Sequence, residues 1–395
     1  MSDTTSNGNT NGKASSTCKR GAAFHVVGDA FVDLFSFLDG DWPEKGGDAK
    51  LNRPIATFAG GSSTNTATHL NSLLGYFDDT NQSSMLLHTT LNPDDHYGSI
   101  LLNHAQKHGF SLVNCKRPDD TAATAHCVAI VAGQERSFMS YRGCLDNFHA
   151  SHLDSDSIID SPSHVHINIA GYYNLNGFQN GLMAQELQRI RKARAQKFPH
   201  CATVVSLVPQ HDATKQWDGG IDQLAQSCLD FFIMNELEAK YIMEQGLLRR
   251  GKQPPQEANS DDLLQNCAAY FGELCPRACI VLTRGPAGAV ALLKGDIYTQ
   301  QSTVKVTPID PTGAGDSFTA GFLYGLWDWK RPHNGDMQFN NADNTFPWPT
   351  QAIQHALKWG CAMGTSAVLV RGASIPSSKE TVQRFYSEIE QLKEE

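Results

Sequence analysis

A chain of 395 residues is long enough for one large core or two smaller ones, and 40% hydrophobic with 18% charged residues is ordinary for a globular protein. The formal net charge of -9 argues against nucleic acid as a general partner, because phosphate backbones demand basic surface. No apolar run reaches membrane-spanning length, and the opening residues lack the apolar stretch of a secretion signal, so no membrane partner and a cytoplasmic location are expected.

Taken in chain order, residues 1–22 are rich in Ser, Thr, Asn and Gly and are expected to form a disordered tail. From Phe24 onward, short apolar runs alternate with longer amphipathic stretches. "FHVVGD", "TVVSLV", "DFFIMNE", "ACIVLTRG" and "GAVALL" read as strands, most of them the continuous apolar runs of a sheet covered on both faces. Gly181 to Lys197 and Asp261 to Phe271 read as helices. This alternation predicts one α/β domain over 23–395, three layers deep (α/β/α), with a mostly parallel central sheet.

Two further segments, about 31–58 and 121–145, read as strand pairs of a smaller, exposed sheet, the second turning at Gly133-Gln134. Both flank candidate site residues, so they are expected to form a β-sheet lid, which is also the expected face for a homodimer. Leu248 to Asp261 and Asp328 to Thr350 read as polar surface insertions. His164 and His166 share one strand face without a third ligand nearby, which suits satisfied histidines better than a metal site. Cys275 and Cys279 form a CxxxC with no second pair, so zinc is not expected; most cysteines read as small buried hydrophobes.

In such sheets ligands gather at the carboxyl ends of strands, where this chain has Gly28-Asp29, Asn235-Glu236 and Arg284-Gly285. The most informative stretch is "DPTGAGDSFTAGF", Asp310 to Phe322. Phe318, Phe322 and Leu326 recur every four residues and mark the buried face of a helix beginning near Asp316. The N–H groups ahead of that helix lack carbonyl partners, and Gly313, Ala314 and Gly315 let an anion approach them. Such a motif also fits a turn that merely starts a helix. Asp316 would repel phosphate there unless a cation or a proton transfer calls for it. Neither GxxxxGK[ST] nor GxGxxG is present, since Phe318 stands where the third glycine belongs.

"AGGSSTNTATHLNSLLG", "NELE" and "DPTGAGDSFTAGF" resemble the motifs of the ribokinase-like (phosphofructokinase-B) family of sugar and nucleoside kinases. "LNPDDHYGSILLNHAQKHGF", "ERSFMSYRG" and "VLTRGPAG" fit the same family in the same order, and the resemblance runs from about Phe24 to the last helix. It implies transfer of phosphate from ATP, with Mg²⁺, to a sugar hydroxyl. Asp316 then matches the general base, and the N–H groups of Gly313, Ala314 and Gly315 match an anion hole. Asp33, Gly60, Gly61 and Asn65 match acceptor-binding positions; Asn235, Thr283, Gly285 and Gly288 match the nucleotide side.

By the same resemblance, Asn235 and Glu238 match an N-x-x-E that arranges Mg²⁺ and its waters. Asp310 and Thr312, with "AVLVRGASIPS", match a site for a monovalent cation such as K⁺, although Pro311 departs from the more usual Thr. Plainer roles stay open: a helix cap for Asn65 or Asp316, a solvated helix face for Glu238, a strand connection for Thr283 to Gly288. Arg142 and Arg136, reaching from the lid, would favour an acidic or phosphorylated acceptor; the alternative is an exposed lid arginine. A small-molecule sugar of ribokinase or fructokinase type is the expected acceptor. A nucleoside is the nearest alternative, and a non-catalytic sugar or nucleotide sensor is the alternative of a different class.

Overall fold

The apolar runs pair side by side into one large sheet. The computed structural model describes residues 19–78, 82–132, 135–256, 259–330 and 348–392. Its strands are β1 (Lys19–Gly28), β2 (Phe31–Phe37), β3 (Ala56–Gly60), β4 (Ser84–Thr89), β5 (Ser111–Asn114), β6 (His126–Ala132) and β7 (Glu135–Tyr141), then β8 (Ser163–Ala170), β9 (Thr203–Val208), β10 (Phe231–Asn235), β11 (Cys279–Thr283), β12 (Ala289–Leu293) and β13 (Asp296–Gln301). Nine of them form the order β13-β12-β11-β10-β9-β8-β1-β4-β5. Pairing is parallel from β5 to β11 and antiparallel at β11-β12 and β12-β13.

Alternate side chains along each strand feed two separate cores, one per face. Phe24, Val26, Phe231 and Ile233 pack with Phe318, Phe322 and Leu326 of the helix Ala314–Lys330. Val27, Ile167, Phe232 and Met234 pack on the other face with Leu187 and Ile190 of the helix Leu182–Lys197 and with Phe271. Burial on both sides is why these strands are apolar throughout. The predicted four-residue stripe is buried along its length.

His166 lies within the first of these cores, flanked by Phe24 and Phe231. Trp327 Nε1 donates to His166 Nδ1 (3.1 Å), and His166 Nε2 bonds Ser206 Oγ (3.0 Å). Burial pushes its pKa down to about 3, so the ring is neutral and satisfied. His164 Nδ1 accepts from the Ala202 N–H (2.9 Å).

The smaller sheet has the order β3-β2-β6-β7, from the two segments expected to form the lid. Ala30, Val32 and Ala59 seat it against Leu91 and Leu101. β2 follows β1 after only Asp29 and Ala30, so the smaller sheet springs directly from an interior strand of the large one.

Several boundaries differ from the sequence reading. The insertion expected over Leu248 to Asp261 is shorter, because Leu248 lies in the helix Glu236–Arg249 and Asp261 in the helix Ser260–Leu274. β1 begins at Lys19, with Ala22 buried and paired to His164, because the sheet extends to accommodate β8; residues 1–18 of the expected tail lie outside the described residues. The segment expected as an insertion from Asp328 starts inside a helix and ends in the core. Trp348 is buried, against Phe231 and Trp327, while residues 331–347 lie outside the described residues. The turn at Gly133-Gln134 and residues 257–258 of the other insertion also lie outside them. Among the described residues no helix is long and apolar enough to cross a membrane.

Candidate active site

Two helix starts and several strand ends converge beneath the smaller sheet. The helix Ala314–Lys330 presents Asp316 in its first turn, and the helix Ser62–Phe77 presents Ser62 and Asn65. The Asp316 side chain is buried. Its Oδ1 accepts from Ser62 Oγ (2.7 Å) and Gln210 Nε2 (3.0 Å), and its Oδ2 accepts from Asn65 Nδ2 (2.8 Å). Burial pushes the carboxyl up to about 6, against the pull of these hydrogen bonds. A carboxylate poised near neutrality beside a helix N-terminus is equipped to take a proton.

Asn65 lies one turn inside its helix, so it is not the cap; that position belongs to Gly61. With its amide nitrogen on Asp316, its Oδ1 is buried without a partner among the described residues, which leaves an acceptor for a ligand hydroxyl. Gly61 brings no side-chain oxygen to its helix. Asp29 supplies one instead, accepting from the Ser63 N–H at 3.3 Å, while its other oxygen accepts from Asn174 Nδ2 at 2.7 Å. Gly61 has φ 88, and a Cβ there would lie 2.6 Å from the Asp29 carbonyl oxygen.

Gly60 makes room for Asp33. A Cβ on Gly60 would fall 2.1 Å from Asp33 Oδ2. Burial pushes the Asp33 carboxyl up to about 7, with the charges of Asp29 and Asp316 acting the same way. Gly60→Ala is therefore expected to displace the flexible end of Asp33 and leave the fold intact. On the acceptor-binding role that the sequence resemblance implies for Asp33, acceptor KM should rise about tenfold or more, the loss of one hydrogen bond to a charged group, with melting temperature nearly unchanged. Steady-state kinetics against acceptor concentration checks this, and an unchanged KM would free Asp33 of any part in binding.

At the mouth of the Asp316 helix the two glycines differ. Gly313 has φ 77 and abuts Ala373, whose Cβ would lie 2.6 Å from an added methyl, whereas a Cβ on Gly315 would meet nothing within 4 Å. The backbone beside Gly315 is therefore open to a bound group. Asp310 ties the preceding turn to the chain's far end: its Oδ1 accepts from Thr312 N (3.0 Å) and Thr312 Oγ1 (2.7 Å), its Oδ2 from Gly372 N (3.1 Å). Asp310, Thr312 and the "RGAS" segment thus meet in space.

Asn235 ends β10 and caps the next helix. Its Oδ1 accepts from the Glu238 N–H (2.8 Å), and Glu238 Oε2 accepts in return from the Asn235 N–H (3.1 Å). Glu238 is buried, not on a solvated face, and burial pushes its carboxyl up to about 7, opposed by the hydrogen bond from Asn235. Thr283 pairs with Asn235 across β10-β11. Gly285 (φ 52) and Gly288 (φ 91) shape the turn from β11 into β12, with open space above Gly285.

Arg142 is engaged elsewhere. It pairs with Asp146 (Nε to Oδ1, 2.8 Å) and donates through Nη2 to the Asn174 carbonyl (2.8 Å), pinning the end of β7 to the main domain. The Arg136 side chain lies outside what the structure describes.

Residues 24–380 match the pfkB family of carbohydrate kinases. The chain belongs to the PfkB family. It is accordingly a phosphotransferase, and its large sheet with a smaller four-stranded sheet is the ribokinase-like fold. Ribokinase from Giardia lamblia superposes with a TM-score of 0.70 at 18% identity, covering 93% of this chain and 99% of that one. Arabidopsis thaliana ribokinase complexed with ribose and ATP gives 0.61 at 19% identity, covering 94% and 99%. Adenosine kinase from Sinorhizobium meliloti gives 0.63 at 16% identity, covering 93% and 99%. At these identities the likeness is one of fold. No curated protein sequence matches significantly.

The sequence reading did not single out Ser62, although it lies within "AGGSSTNTATHLNSLLG", and the PfkB motifs did not point to Asn174 or Gln210. Gln210 and Asn174 follow the carboxyl ends of β9 and β8, the positions where such sheets place ligands, and that placement is the signal that would have found them.

Proposed function

We propose that this PfkB kinase transfers the γ-phosphoryl group of ATP to a hydroxyl of a neutral sugar, in the manner of a ribokinase or fructokinase. The observation that carries the reading is Asp316, buried at the start of its helix, held by three donors and poised near neutrality beside the open backbone at Gly315. The acceptor hydroxyl gives its proton to Asp316 as its oxygen attacks the γ-phosphorus and the bond to ADP breaks. The N–H groups of Gly313, Ala314 and Gly315 receive the charge on the moving group.

Asp33 and Asn65 orient the acceptor's other hydroxyls; the unpartnered Asn65 Oδ1 supports this. Asn235 and Glu238 would hold Mg²⁺ through water. They fit it, offering hard oxygens and a buried carboxylate whose charge a divalent cation relieves. When bound, the ion neutralises phosphate charge. Thr283, Gly285 and Gly288 border the nucleotide.

Three carboxylates, Asp29, Asp33 and Asp316, lie within electrostatic reach of one another, and Arg142 is already paired. This balance favours a neutral polyol over a sugar acid or sugar phosphate. A coupled ATP-turnover screen across pentoses, hexoses, sugar acids and nucleosides tests it. Turnover confined to nucleosides or sugar acids overturns the sugar reading; binding without turnover makes the protein a sensor.

The Asp310, Thr312 and Gly372 cluster supports a monovalent-cation site. Replacing K⁺ by a large organic cation at fixed ionic strength should lower turnover, and an unaffected rate removes the site from the mechanism. The exposed side chains of Phe138, Met139 and Tyr141 on the edge strand β7 support pairing of two copies through the lid, which sedimentation of the purified chain would reveal.

A further inference from the structure

The Asp316 carboxylate offers about four lone-pair positions on two oxygens. Ser62 Oγ and Gln210 Nε2 both donate to Oδ1, and Asn65 Nδ2 donates to Oδ2. Oδ1 is saturated; Oδ2 keeps one position open. Gln210 Nε2 also lies 2.9 Å from Ser62 Oγ, so the amide braces the serine as well as the base.

The backbone that delivers this amide is unusual. Gln210 has φ 65, a left-handed conformation that a residue with a side chain rarely adopts. Lys215 (φ 59) and Trp217 (φ 50) share it on the same loop. Such conformations persist only where the surroundings over-determine them. Here the buried Asp212 accepts from Thr214 N (2.8 Å), Thr214 Oγ1 (2.7 Å) and Trp217 N (2.6 Å). The buried Trp217 ring stacks on Tyr241 and meets Tyr173 and His211 edge-on. The loop is braced at its far end and delivers a glutamine where glycine would be at ease.

We propose that Gln210 is a positioning residue for phosphoryl transfer: with Ser62 it fills Asp316 Oδ1 and so directs the acceptor's proton to Oδ2. This rests on the reading of Asp316 as the base. The acceptor O–H bond breaks as its oxygen bonds the γ-phosphorus; the proton forms a new O–H bond at Oδ2, and ADP leaves with the electron pair of the broken P–O bond. The amide of Gln210 stabilises the charged carboxylate, so its loss strengthens the hold on a proton. The carboxylates of Asp29, Asp33 and Glu238 oppose charge on Asp316, and Gln210, Ser62 and Asn65 offset them.

Gln210→Gly and Gln210→Leu in the full chain, beside Asp316→Asn, decide the matter. The glycine variant suits φ 65 and should keep or raise the melting temperature. Both variants should lower kcat about tenfold and move the acid limb of its pH profile up by roughly one pH unit, the effect of losing one charge-assisted hydrogen bond. Nucleotide KM should hold. An unshifted limb in a folded variant overturns the proposal: with wild-type kinetics it leaves Gln210 a role in loop shape, and with raised acceptor KM alone a role in binding. Full activity in Asp316→Asn would instead overturn the assignment of the base, whatever the Gln210 variants do.

Discussion

Asp316→Asn is expected to lower turnover by about 10² to 10⁴-fold, the usual contribution of a general base. The change keeps size and leaves Ser62, Asn65 and Gln210 close enough to pack, but no oxygen remains that can take the acceptor's proton. Nucleotide affinity should hold or tighten, since a negative charge beside the phosphates is gone. In the wild type, Asp316 titrates near 6 in the fold against an ordinary value of 3.8. Turnover should therefore rise as pH climbs through about 6 and the base becomes charged.

The stability consequence has a definite sign. A carboxyl with a raised folded pKa binds its proton more tightly in the fold, so stability falls as pH rises from 3.8 towards 6. The Asn variant escapes that fall and should melt at or above the wild-type temperature at pH 8. Measuring turnover, ATP affinity and melting on one preparation settles the role. Asp316 lies inside the first turn of its helix with its carboxylate on Ser62, Asn65 and Gln210, so it is not the helix cap the sequence also allowed; near-normal turnover would leave it a packing role and nothing more.

A second large effect concerns stability alone. Arg194 is fully buried in the helix Leu182–Lys197. Its guanidinium donates to the carbonyls of Ile158 (2.7 Å), Ser161 (2.9 Å) and Ser163 (2.7 Å) and to Thr203 Oγ1 (2.9 Å). Five N–H donors in a rigid fork suit this cluster of acceptors at the starts of β8 and β9 and in the segment leading into β8. Burial lowers the pKa only to about 10, so the side chain stays charged at neutral pH.

Arg194→Met keeps the apolar stem but strands four acceptors in the interior. Each unsatisfied group costs about 1–3 kcal/mol, less where the site relaxes or admits water. A total loss of about 4 kcal/mol is expected, which for a chain of this size lowers the melting temperature by roughly 5 °C. Lysine should recover part of it, one ammonium reaching fewer acceptors. Thermal unfolding checks the fall, and an unchanged midpoint would mean the carbonyls find other partners. Kinetic constants per folded molecule should not move, because Arg194 holds the amino-terminal ends of β8 and β9 at Ser163 and Thr203, whereas the Asp316 site gathers beyond their carboxyl ends at Asn174 and Gln210.

Much of the fold is visible in local patterns. The apolar runs at β1, β9, β10, β11 and β12 and the Phe318, Phe322, Leu326 stripe follow from periodicity, which a few neighbouring residues carry among themselves. The glycines around Asp33 and Asp316 are likewise visible as motifs, although what leaves no room for a Cβ there (Asp33 at Gly60, Asp29 at Gly61, Ala373 at Gly313) is set by the fold. Only the tertiary structure decided which side chains meet. Ser62 stands 254 residues from Asp316 and Gln210 stands 106 from it, and strand order in the sheet, not sequence spacing, brings them together. It likewise buried Glu238 and Trp348, and turned Arg142 towards Asp146 and the Asn174 carbonyl. Local sequence specifies backbone conformation and amphipathic faces; burial and long-range partners depend on what the other layers place above each position.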